Sequence, residues 1–161
     1  GNTLQRMSLL YDGSTEWGIS FQNSWSGNAG SALNFCNYSG TQVGTIQPGA
    51  SSTSYVTTSD YRLKENVAPM IGALDKIALL KPVTYTWKES GEDGQGFIAH
   101  ELQEVFPDAV AGEKDAVAED GSIKPQGIDT SFLVATLCKA IQEQQEIINA
   151  LTARIEALEN K

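Results

Sequence analysis

The sequence predicts two parts of different fold class. Residues 1–58 read as an all-β, fibre-like segment, and residues 59–161 as an α+β domain whose last element, 130–161, is a long coiled-coil helix. Three observations carry this. Residues 1–58 hold only Arg6, Asp12 and Glu16, a net of −1, whereas the remainder holds 10 basic and 18 acidic residues, a net of −8. Gly, Ser, Thr and Asn supply 30 of the first 58 residues, interrupted by short alternating apolar runs. The last thirty residues carry apolar side chains alternately three and four apart, the signature of a heptad seam.

In the first segment, Trp17, Ile19 and Phe21 alternate along one strand face, and Leu33 and Phe35 along another. Val43–Thr45 and Tyr55–Thr57 repeat the pattern more weakly. Turn signals separate the runs at Asp12-Gly13, Gly27–Gly30, Ser39-Gly40 and Pro48-Gly49. So few large apolar residues cannot build an independent core in so short a segment. Association is the physical remedy, with several copies sharing one axial core and covering each other's strand edges. That is the arrangement a trimeric β-prism or triple β-helix requires; one small β-domain is the alternative at this point. Trp17, Trp25, Tyr38 and Tyr55 are candidates for contact with a glycan or receptor, although an aromatic on an alternating strand is more often a core residue.

The net charge of −9 argues against a nucleic-acid phosphate binder, which needs a basic face. Beginning at Gly1, with no apolar run long enough for a signal peptide or a membrane span, the chain reads as part of something longer and not membrane-inserted. Cys36 and Cys138 lie in different segments with no second Cys or His at ligand spacing, so no metal or cofactor is expected and both read as buried or semi-buried thiols. His100 is the only histidine.

In the second segment, Pro69 suits the first turn of a helix running to about Leu80, with Ile71, Leu74, Ile77 and Ala78 along one side. Pro82 closes it and launches a strand, Val83 to Trp87. A charged loop, Glu89 to Gly94, leads to a second strand, Gln95 to Ala99, and a short helix, His100 to Phe106, ended by Pro107. His100 and Glu101 are acid–base residue types, but both open a helix, where Glu complements the dipole. Asp115 to Ile128 reads as a protruding hairpin with an Asp120-Gly121 turn. Asp129 or Thr130 caps the last helix, whose seam is Val134, Leu137, Ile141, Gln144, Ile148, Leu151, Ile155 and Leu158. A parallel assembly would let Arg154 and Glu159 pair between chains.

The junction, Ser59-Asp60-Tyr61-Arg62-Leu63-Lys64, carries a candidate nucleophile and a candidate base. A serine hydroxyl needs a neighbour to take its proton, and a lysine can do so only when neutral. Five residues apart on a straight helix the two would point to different sides, so contact requires an extended or turning segment at Ser59. The bland alternative is a polar linker in which Ser59 or Asp60 caps a helix.

The ordered set Ser59–Val67, Ile71–Ile77, Leu80–Trp87 and Gly96–Pro107 resembles the self-cleaving intramolecular chaperone domain of bacteriophage tailspikes, tail fibres and neck appendages, the endosialidase type. The resemblance covers about Ser59 to Lys161. It implies a homotrimer that folds an upstream fibre stalk, its client, and then releases itself through a serine–lysine dyad. Carried over, Ser59 is the nucleophile, Lys64 the base and Thr58-Ser59 the scissile bond. Asp60 and Arg62 take positioning roles, and His100 and Glu101 are candidate supporting residues. Synthesis in the bacterial cytoplasm, with the stalk passing to the virion and the chaperone discarded, follows from the same likeness. A non-cleaving trimerisation cap or adhesin tip is the alternative. The seam rule alone favours two strands, since β-branched residues at a accompany Leu at d; the resemblance implies three, and we side with three.

Overall fold

In the computed structural model the residues described are 33–160. The expectations that fall on Trp17, Ile19, Phe21, Trp25 and the turns at Asp12-Gly13 and Gly27–Gly30 lie outside them. The chain divides into two compact units between Val67 and Ala68.

In the first unit, β1 (Leu33–Cys36), β2 (Gln42–Pro48) and β3 (Thr53–Thr57) form an antiparallel meander. Leu33 pairs with Ile46 and Ile46 with Tyr55, so three apolar side chains line up across the sheet. The β1–β2 turn closes on the Asn37 carboxamide, whose Oδ1 accepts the amides of Ser39 (3.1 Å) and Thr41 (3.0 Å), with Gly40 at φ +80°. The β2–β3 turn closes where the Gly49 amide donates to the Ser52 carbonyl at 2.7 Å. Thr45 is the one buried residue of these strands, and its hydroxyl donates to the Leu33 carbonyl at 2.9 Å. Phe35, Val43, Tyr55 and Val56 all remain exposed, and so does Tyr38 in the turn. Among the described residues the meander therefore has hydrogen-bonded order without an apolar core of its own.

In the second unit, α1 (Ala73–Ala78) follows Gly72, which sits at φ +68°. A residue in the left-handed region cannot lie within a right-handed helix. The helix therefore starts four residues after Pro69, and Ile71, expected on its apolar side, is exposed. The Glu143 carboxylate caps α1 from far along the chain, accepting the Leu74 amide at 2.8 Å. β4 (Val83–Thr86) and β5 (Asp93–Gly96) pair as a hairpin with Thr86 opposite Asp93. The second strand thus comes earlier than Gln95–Ala99, because the turn after Trp87 sets the register: the Gly91 amide donates to the Trp87 carbonyl, and the Trp87 amide to the Glu92 carbonyl, each at 2.8 Å. Tyr85 lies across Gly94, where a Cβ would sit 2.7 Å from the ring, and meets Trp87 edge-on.

Helix α2 (Ala99–Val105) ends as expected before Pro107, which opens a single 3₁₀ turn, Pro107–Ala109. β6 (Val110–Ala111) pairs with β7 (Gly127–Ile128). Between them the chain makes the expected excursion, with a Val117–Ile123 bridge and Gly121 at φ +81° in the turn. Asp129 caps the next segment, accepting the Ser131 amide at 2.9 Å. A 3₁₀ turn, Thr130–Leu133, then leads into α3 (Val134–Glu159), 26 residues and ~39 Å long at 1.5 Å per residue.

The core of this unit is Leu102, Phe106, Ala109 and Leu133, packed by Ile77, Leu80, Phe97, Val105 and Val110. The Lys76 ammonium sits 4.1 Å from the centre of the Phe106 ring, a cation–π contact. α1 packs on α3, whose inner face presents the buried Thr136 and Ala140, just after the buried Leu133 of the 3₁₀ turn. The seam residues are off that face, and every one of them is exposed. So is Ile147, which widens the apolar stripe beside Gln144 and Ile148. Cys36 and Cys138 are both exposed, against the expectation of burial: one ends β1 where its register shifts, the other lies off the face of α3 that α1 covers.

The caps give this unit an acid limit. The Glu143 carboxyl is held below its usual range by the Leu74 amide above all, and Asp129 by Ser131. Carboxyls with a lowered folded pKa stabilise the fold above their unfolded pKa and lose that contribution as pH falls through the folded value. The melting temperature is therefore expected to hold down to about pH 5 and then fall through and below the ordinary carboxylate range near ~4. Glu143→Ala should lower it by a few degrees at neutral pH and flatten the acid limb, measured by circular dichroism.

Candidate functional site

Thr58 continues the meander by one residue past β3, its amide donating to the Val43 carbonyl at 3.0 Å. The Thr58-Ser59 peptide bond thus begins where strand pairing ends. Asp60 stays extended (φ −66°, ψ 134°) and caps a 3₁₀ turn, Tyr61–Leu63, by accepting the Arg62 amide at 2.9 Å. Leu63 and Lys64 donate their amides back to the Asp60 and Tyr61 carbonyls, both at 3.1 Å. Lys64 then returns to extended backbone (φ −121°, ψ 140°). With an extended residue on each side of one tight turn, the chain doubles back within five residues.

The result is contact between the two expected dyad side chains: Lys64 Nζ donates to Ser59 Oγ at 2.7 Å. Both are exposed, so the single chain does not supply the desolvation expected around Lys64. At this distance an ammonium can donate to the hydroxyl, and a neutral amine can instead accept its proton. Asp60 and Arg62 meet in a forked pair. Asp60 Oδ1 accepts Arg62 Nε at 3.0 Å, and Oδ2 accepts Nη2 at 2.6 Å. The Arg62 side chain and its amide hold the Asp60 carboxyl below its usual value, and Asp60 raises the guanidinium pKa. The sequence assigned these two residues no more than positioning roles; their Asp-x-Arg spacing, read on a 3₁₀ turn, was the available signal for the fork.

His100 and Glu101 are both in the first turn of α2, in the second unit. Glu101 Oε1 lies 3.7 Å from Lys81 Nζ, which ties the start of α2 to the segment before β4. Among the described residues there is no cluster of His, Cys, Asp or Glu fit to hold a metal ion, and no helix is long and apolar enough to cross a membrane.

A peptidase-class family model described as chaperone of endosialidase matches residues 59–111, beginning at the serine of this contact. The chain is also similar to the long tail fiber protein Gp37 of Enterobacteria phage K3, 32% identical over 108 residues, which is 64% of this chain and 8% of that protein. Its likeness to Gp37 of Enterobacteria phage T2 is the same, 32% over 108 residues, covering 7% of that protein. The chain therefore spans less than a tenth of either relative. The small sheets and the long terminal helix suit an α+β chaperone domain that ends in a helix.

Proposed function

We propose that this chain is the end of a phage fibre stalk joined to its intramolecular chaperone, which assembles three copies, templates the stalk and then frees itself by cutting Thr58-Ser59. The observation that carries the reading is the 2.7 Å contact between Lys64 Nζ and Ser59 Oγ, at the first peptide bond beyond the last paired strand residue. In this scheme residues 1–58 belong to the stalk and 59–161 to the chaperone.

Assembly comes first. The α3 seam gathers three chains, which turns stalk pairing into an effectively intramolecular event in fixed register. The meander's exposed apolar faces then find in neighbouring copies the core they lack singly, giving a triple β-helix or β-prism. Such non-local pairing closes slowly and leaves edges exposed meanwhile, which is where a template helps.

Chemistry follows. Neighbouring chains exclude water from the exposed dyad, and neutral Lys64 accepts the Ser59 Oγ proton. Oγ attacks the Thr58 carbonyl carbon; the new C–O bond replaces the C–N bond as the proton passes from Lys64 to the Ser59 nitrogen. Water then hydrolyses the ester, leaving a Thr58 carboxylate, a free Ser59 amine and the regenerated hydroxyl. After release the stalk persists by its unfolding barrier.

Expression of the full chain should give two bands on a denaturing gel, with the carboxyl fragment beginning at Ser59 by mass spectrometry. Ser59→Ala should give one. A single intact band from the parent, in an assembled protein, would instead assign the chain as the non-cleaving cap.

A further inference from the structure

We infer that Arg62 is a positioning residue for the cleavage, and that it acts by holding the Asp60 carboxylate away from Lys64. This rests on the reading of Lys64 as the base. Among the described residues of the first unit, 33–67, the charged side chains are Asp60, Arg62, Lys64 and Glu65; the other titratable ones are Cys36, Tyr38, Tyr55 and Tyr61, all exposed. Asp60 lies one residue from the nucleophile and four from the base, the natural partner for the Lys64 amine.

Yet both its oxygens are taken by Arg62. Oδ1 accepts the Arg62 amide at 2.9 Å and Nε at 3.0 Å, and Oδ2 accepts Nη2 at 2.6 Å. Among the described residues Lys64 forms no ion pair, and its amine is directed to Ser59 Oγ at 2.7 Å instead. An ion pair this exposed stabilises the fold little. What the fork does is decide where the acceptors point. A guanidinium is always charged and matches a carboxylate with two parallel bonds, so it outcompetes an ammonium for Asp60. Without it, Asp60 would turn to Lys64, favour the ammonium form and draw Nζ away from Oγ. Either effect costs the base its function.

The experiment uses the full chain, collected in denaturant immediately after induction and refolded by dilution into buffers from about pH 6 to about pH 10. Fragment appearance is timed on denaturing gels for the parent, Arg62→Ala, Arg62→Ala with Asp60→Asn, and Ser59→Ala. The Asp60→Asn change keeps a side-chain oxygen to cap the turn but removes the charge. Arg62→Ala is expected to cleave about tenfold more slowly near neutrality, with the rising limb of its pH–rate profile moved up by about one pH unit. The double variant should return to within about threefold of the parent, with the limb back in place. A uniform slowing of Arg62→Ala at every pH, with no rescue by Asp60→Asn, would mean that Arg62 only props the turn and would overturn the inference; so would parental behaviour of Arg62→Ala. Fragments from Ser59→Ala would overturn the serine–lysine reading itself.

Discussion

Lys64→Arg is expected to leave the chain full length. The substitution keeps a cationic donor on a long stem, so a merely structural hydrogen bond to Ser59 Oγ, 2.7 Å from Lys64 Nζ in the parent, would survive it. What it removes is the ability to take a proton: a guanidinium does not deprotonate at any pH a protein tolerates, whereas an ammonium does. Proton transfer by a positioned base is worth about 10²–10⁴ in rate. Processing complete within minutes in the parent would then need hours to weeks. Intact-mass spectrometry of the refolded chain, sampled over a day, reads this directly, and an unchanged melting temperature would show that the fold is intact. Lys64→Arg cleaving at the parent's rate would reduce the contact to a structural hydrogen bond and leave Ser59 without its base.

The residues of this candidate site were legible in the sequence, and so was the need for an extended or turning segment at Ser59; the particular turn was not. Ser59 and Lys64 stand out as a nucleophile and an amine in an otherwise polar junction. Their contact depends on the Asp60 cap and on one 3₁₀ turn, local hydrogen bonding that no apolar period reports. Where turn chemistry fixes an element, the reading succeeded: Pro107 ends α2, Asp120-Gly121 turns the hairpin and Asp129 caps the last helical segment. Where two local signals compete, it failed. Pro69 invites a helix start, but Gly72 in the left-handed region forbids one before Ala73. The apolar Phe97-Ile98 pull the expected strand toward Ala99, although the hairpin turn sets its register two residues earlier. The Glu143 cap on α1 joins residues 69 apart in sequence and had no local signal at all. Burial of both cysteines is expected only from the general habit of thiols, which says nothing about a particular strand end or helix face.

Placing aspartate at both Ile148 and Leu151 is expected to leave the chain in pieces of one copy each. Helix α3 uses its faces differently. Thr136 and Ala140 are buried on the side that packs within the chain, whereas Ile148 (47% exposed) and Leu151 (54% exposed) remain largely uncovered. Their replacement should therefore cost the single chain little, and helical content of the unit from Ala73 to Glu143 should persist. In an assembled seam the same positions are interior. Losing two buried aliphatic side chains withdraws about 3 kcal/mol or more per chain, over a hundredfold in association, before repulsion between facing carboxylates is counted. The free end of α3 should then fray, since most helical stability in proteins comes from packing of an apolar face. Light scattering should report the mass of one chain, and cleavage should fall with it, because in the proposed scheme only neighbouring copies cover the exposed dyad. Ala153→Asp, one residue short of Arg154 and off the seam, should change neither reading. A double variant that keeps the parent's assembled mass and still yields a fragment beginning at Ser59 would show that α3 is not what joins the copies. The trigger for cleavage would then have to lie within the single chain, where Ser59 and Lys64 already touch.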